Sequence, residues 1–165
     1  MSSDRLRQVK RNLERLRQQV AGKEDTLTTI APEERVRIKI QIADLKAEMQ
    51  PFEEEYWQIL AEQSETVDIS EPAPEVVVAE IVEKTGQLQT SQQCSDEVLE
   101  LLKKIHAEVS QPEKTAAAKL KAVLSLMPPF VNLSCEMERD IEIERFLRTH
   151  LPTFTKWVEI LVKKS

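Results

Sequence analysis

Residues 51–60 read PFEEEYWQIL, and whether a helix survives them decides the fold. Pro51 has no N–H to give to the carbonyl four residues earlier, so it kinks or loosens a helix. Three glutamates follow, Glu53, Glu54 and Glu55, set against Tyr56 and Trp57. Apolar phase decides the matter. Ile38, Ile42, Leu45, Met49, Phe52, Tyr56 and Ile59 step 4-3-4-3-4-3 straight through the proline. That spacing marks one stripe of one helix, so the sequence predicts a kinked but continuous helix from 32 to about 63.

The partner stripe lies upstream. Leu6, Val9, Leu13, Leu16 and Val20 step 3-4-3-4, and Leu27 resumes the phase beyond Gly22 and Lys23. Residues 26–32 read as a break, with Pro32 suited to a first helical turn and Glu33 and Glu34 to its positive end. Two narrow seams joined by a short connection predict an antiparallel coiled-coil hairpin. Its second helix would be roughly 48 Å long at 1.5 Å per residue.

Charge supports this direction of pairing. Residues 1–23 carry seven Lys or Arg (Arg5, Arg7, Lys10, Arg11, Arg15, Arg17, Lys23) against Asp4 and Glu14, a net of +5. Residues 44–83 carry twelve Asp or Glu against Lys46, a net of −11. Folding back near residue 29 sets Arg5, Arg7, Lys10 and Arg11 near Glu48 and the Glu53–55 run, so these charges are expected to orient the hairpin. A two-helix hairpin buries one stripe per helix and usually completes its core with further helices or a second copy. Tyr56 and Trp57 are candidates for that extra contact surface, as is ordinary packing onto the rest of the chain.

Composition agrees with an all-α class. The 165 residues hold 2 glycines, where average usage gives roughly a dozen, which leaves little material for hairpin turns or phosphate-cradling loops. A net charge of −6 argues against a general nucleic-acid binder, which needs a basic face. No apolar run of about 18 residues and no apolar core after a basic start is present, so neither a membrane span nor a secretion signal is expected. Cys94 and Cys135 fit neither a disulfide framework nor a metal spacing. They read as buried or idle thiols of a reducing cytoplasm.

Residues 64–74, SETVDISEPAP, form an acidic linker with two prolines, which divides the chain into 1–63, 64–74 and 75–165. In the last part residues 76–82 suit a helix ended by Gly86 better than a strand, though Val76, Val77 and Val78 favour the latter. A helix starts at Ser95-Asp96-Glu97 and carries Val98, Leu101, Leu102, Ile105 and Val109. A second starts at 110–113 and stops at Pro128-Pro129. Residues 131–137 alternate like a strand, yet Ser134 could equally cap a helix, and a helix from about 135 with a short extended stretch before it is expected. Pro152 opens a short last helix bearing Phe154, Trp157, Val158 and Leu161.

Catalytic chemistry finds little support. His106 and His150 are the only histidines, and no spacing joins Cys135 to His150 as a nucleophile–base pair. No HExxH, CxxC, Walker or GxGxxG pattern occurs. The expectation is a protein that is not an enzyme, with no catalytic residue, cofactor or metal. The seam residues Leu6, Val9, Leu13, Leu16, Ile42, Leu45, Met49, Phe52 and Tyr56, with Trp57 and Trp157, are the candidate interaction residues.

Two stretches, TIAPEERVRIKIQIADLKAEMQPFEEEYWQIL and AAAKLKAVLSLMPPFVNLS…FLRTHLPTFTKW, resemble accessory helical segments of cyanobacterial signalling and conflict proteins. There a coiled coil and a small domain are attached to effectors such as STAND-type NTPases or caspase-like proteases, or stand alone as adaptors. The resemblance implies an adaptor or effector-associated role. Expected partners are therefore another protein or a second copy. A membrane partner enters only in an alternative, an effector that exposes the stretch from Leu124 to Val131 and the Trp157 helix on activation.

Overall fold

Helices account for the regular structure in a computed structural model that describes residues 2–90, 96–127 and 143–164. In chain order they are α1 (Ser2–Leu27), α2 (Pro32–Thr66), α3 (Pro74–Gln89), α4 (Asp96–Val109), α5 (Ala116–Ser125), α6 (Ile143–His150) and α7 (Pro152–Lys164). No strand occurs among the described residues, so the protein is all-α. Residues 76–82 are helical, within α3. The alternating stretch 131–137 lies outside the described residues. The chain divides into two compact units, Met1–Tyr56 and Trp57–Ser165.

In the first unit α1 and α2 form the hairpin. Leu6, Val9, Leu13, Leu16 and Val20 of α1 and Ile38, Ile42, Met49 and Tyr56 of α2 are buried, which is the seam read from the sequence. Leu45 and Phe52 belong to the same stripe but lie toward its edge and are half-buried. The direction is fixed by polar contacts at both ends. Arg5 meets Glu55 at the open end, and near the turn Lys23 Nζ donates to Gln41 Oε1 at 2.8 Å. α1 ends without a left-handed glycine. Ile30 and Thr29 N–H groups donate to the Thr26 carbonyl, and Arg35 Nη1 donates to the Leu27 carbonyl at 2.7 Å. That guanidinium satisfies one of the carbonyls a helix end leaves over.

α2 runs unbroken through Pro51 to Thr66, three residues past the expected end. The division into units falls inside it, at Tyr56 and Trp57, and not at residue 63. The cause is burial: Trp57, Leu60 and Ala61 are core residues of the second unit. The linker expected over 64–74 shrinks to residues 67–73, and even there Ile69 is buried.

In the second unit α3 packs against α4, α5 and α7, and α6 against α7. Val77, Ile81, Leu102, Ile105, Leu120, Val123, Leu124, Phe154 and Leu161 fill its core. Two boundaries differ from the reading of the sequence. Gly86 does not end α3, which continues to Gln89; no glycine has the positive φ of a helix cap. α5 starts at Ala116, with Thr115 accepting from the Ala118 N–H at 3.2 Å, and not at 110–113, which precede that cap as a turn. α7 opens on Pro152 as expected, but its cap comes from far away. Glu80 of α3 accepts from the Thr153 N–H at 3.0 Å with one oxygen and from the Phe154 N–H at 2.9 Å with the other. These are orphan donors of a first turn, and a carboxylate also suits the helix dipole there.

Candidate interaction surfaces and buried polar sites

The expected orienting charges separate into three environments. Arg5 grips Glu55 with two parallel bonds, Nε to Oε1 at 2.5 Å and Nη2 to Oε2 at 2.7 Å. This fork geometry suits a guanidinium. The hydrogen bond to Glu55 and then its charge hold the Arg5 pKa above the ordinary value. Arg7 turns to Asp4 on its own helix, at 3.9 Å, while Lys10, Arg11 and Glu54 are exposed. Glu53 is different: its side chain is 1% exposed and its Oε1 lies 2.5 Å from Arg17 Nη2.

Arg17 was not among the orienting residues inferred from the fold-back register. That register compares backbone positions, whereas helical side chains lean toward their own N-terminus. On antiparallel helices Arg17 and Glu53 therefore lean toward one another. The lean extends the reach beyond the simple register, and only the longest side chains exploit it.

The candidate interaction residues are largely interior. Leu6, Val9, Leu13, Leu16, Ile42, Met49 and Tyr56 close the seam, with Leu45 and Phe52 at its margin. Trp57 is 2% exposed and belongs to the second unit's core. Trp157 is likewise buried and stacks on Phe154, ring centroids 6.0 Å apart at 25°. Both tryptophans pack inside, so neither is part of an exposed contact surface.

What α2 does expose is a second stripe that the sequence reading passed over. Val36 is 66% exposed and Ile40 57%; Ala43 and Ala47 continue the same 4-3-4 spacing and are exposed too. At 100° per residue this stripe lies on the side of α2 away from the seam. The signal was present in VRIKIQIADLKA, where the longer seam masked it. On α1 the outward side is basic, with Arg7, Arg11 and Arg15 exposed.

In the second unit a hollow of about 320 Å³ is lined by Ser64, Glu65, Asp68, Ile69, Leu120 and Trp157, among others. Its acidic rim already holds ammonium groups: Lys121 pairs with Glu65, and Lys164 Nζ donates to the Asp68 carbonyl at 3.0 Å. Thr85, buried in α3, donates to the Ile81 carbonyl at 2.7 Å and stands 2.9 Å from His106 Nδ1. A hydroxyl has one hydrogen, so with that bond made His106 Nδ1 is the donor to Thr85. The polarity is opposite to a base activating a nucleophile. Among the described residues no group of three or more His, Cys, Asp or Glu is gathered as a metal ion requires, and no helix is long and apolar enough to cross a membrane.

Comparison with protein-family models, curated proteins and solved structures gave no match.

Proposed function

We propose that the chain is a non-enzymatic interaction module of the cytoplasm that works by helix pairing and associates with itself. It would serve as an adaptor or effector-associated segment of the kind its resemblance to signalling and conflict proteins implies. The observation that carries this reading is the outward side of α2. A helix of 35 residues spans roughly 52 Å, well beyond the 10–14 residues of an average helix. It presents exposed Val36 and Ile40 on a frame whose own seam is already closed. Such a hairpin displays surface at little cost in further folding.

The membrane-active alternative makes a different demand. Leu124 and Trp157 are core residues, so that mechanism requires the second unit to open before any lipid is touched. Amine crosslinking of the full chain in its own cells tests the proposal. The expected result joins the exposed hairpin lysines Lys10 and Lys39 to another polypeptide more often than Lys103, Lys104, Lys156 or Lys163. Vesicles of anionic lipid stay sealed when the protein is added. Crosslinks confined to the second unit's lysines, or vesicle leakage, overturn it.

A further inference from the structure

The stripe Val36, Ile40, Ala43 and Ala47 has a shape that names its occupant. Its two large residues come first and its two small ones last, evenly spaced along one exposed face. Turning a second copy of α2 through a two-fold axis between residues 41 and 42 sets Val36 opposite Ala47 of the second copy and Ile40 opposite its Ala43. Each large side chain then meets a small one, and the same four residues serve both copies. That is the self-complementarity a two-fold interface requires. Resting on the helix-pairing reading above, we infer that α2 pairs antiparallel with α2 of a second copy through this stripe.

The flanking charges select the same arrangement. In antiparallel pairing each edge of a stripe meets the same edge of its partner. One edge carries Arg37 and Asp44, both exposed, so Arg37 of each copy meets Asp44 of the other. Arg37 now rests on Glu34 of its own helix at 2.6 Å, an exposed pair that exchanges readily. The other edge carries Lys39 and Lys46, whose repulsion would oppose the pairing. Lys46, however, is half-buried, which lowers its pKa, and Glu24 of α1 attracts its charge, so this edge repels less than two exposed lysines would. A parallel pairing has no such fit, because it stacks Val36 on Val36 and Ala47 on Ala47.

The patch is small. It buries on the order of 300 Å² per copy, well under the ~800 Å² of a standard stable interface, so the dimer is weak and depends on concentration. High effective concentration, as when several copies are tethered in one assembly, is where such a contact acts.

Sedimentation velocity on the full chain tests the inference. The weight-average mass of the parent is expected to rise from 19.0 kDa toward twice that value between about 10 μM and 1 mM, the range suited to an interface of this size. Val36→Asp combined with Ile40→Asp should remain at the monomer mass with an unchanged melting temperature, since both sites are exposed. Asp44→Arg alone should also abolish the rise, because the new cation meets Arg37. Arg37→Asp combined with Asp44→Arg should restore it. A parent that stays monomeric throughout overturns the inference, and so does association that these substitutions leave untouched. A monomeric parent also removes self-association from the proposed function, while crosslinking to other polypeptides judges the rest of that reading separately.

Discussion

Arg17 Nη2 lies 2.5 Å from Glu53 Oε1, with the glutamate side chain 1% and the arginine side chain 18% exposed. This buried ion pair joins the two helices of the hairpin. Removing one partner of a buried pair costs about 3–5 kcal/mol, because the other charge is left in a poor solvent. Arg17→Met leaves behind the Glu53 carboxylate, whose side chain is 1% exposed, and is expected to cost at least about 3 kcal/mol. Replacing both residues by methionine should recover most of that loss. Urea denaturation of the three proteins measures it; a single variant as stable as the parent contradicts the assignment.

The three neighbouring glutamates should respond differently to reversal. Glu54→Lys changes an exposed position and is expected within about 0.5 kcal/mol of the parent. Glu55→Lys breaks the exposed fork to Arg5 and should lower the melting temperature slightly at low salt, the shift shrinking in 1 M salt. Glu53→Lys sets two cations together where water is excluded, so its loss should be several-fold larger and nearly salt-independent. Thermal melts at low and high salt separate the three, and equal behaviour would refute the environments described.

His150 gives the fold a dependence on acidity. Burial first, and the positive charge of Lys84 second, hold its pKa below the ordinary 6.5. The unfolded chain therefore takes up this proton at a higher pH than the folded chain does. Stability is unaffected while both states are neutral. It begins to fall as pH drops through about 6.5, and the loss is complete once the folded group also protonates. The urea midpoint of the parent should fall more than that of His150→Gln across this window. Parallel profiles would show that His150 does not contribute.

Gly86 sits inside α3, and a Cβ placed there meets only His106 Cε1, at 3.7 Å, an ordinary contact. Gly86→Ala should then stabilise by about 0.5–1 kcal/mol, the usual gain in a helix interior. At a left-handed cap the same change would destabilise, so the sign of the shift in denaturation midpoint distinguishes the two placements.

Apolar spacing was enough to identify the hairpin, since Leu6 to Val20 and Ile38 to Tyr56 obey one period whatever surrounds them. It carried α2 through Pro51 for the same reason. Spacing could not reveal that Trp57 and Leu60 leave the hairpin for another core, because one helix periodicity serves both. Gly86 misled through its local cap propensity, which the surrounding helix overrode. Register arithmetic treats side chains as points and so does not reach Arg17, and the Val36–Ile40 stripe is overlaid by the longer, stronger seam of the same helix. Glu80 had no local sign at all, since its partners lie 73 and 74 residues away.

That long separation has a kinetic meaning. α7 has 13 residues, too few for a stable isolated helix in water, and the acceptor for its first amides arrives only when α3 has docked. Bringing together segments so far apart in sequence consumes chain entropy before any contact repays it. The clamp should therefore close after the folding barrier has been crossed, leaving the rate of folding almost indifferent to Glu80. Its whole effect then falls on the reverse step. Glu80 acts as a latch, setting how long the second unit persists before it opens and scarcely altering how quickly it forms.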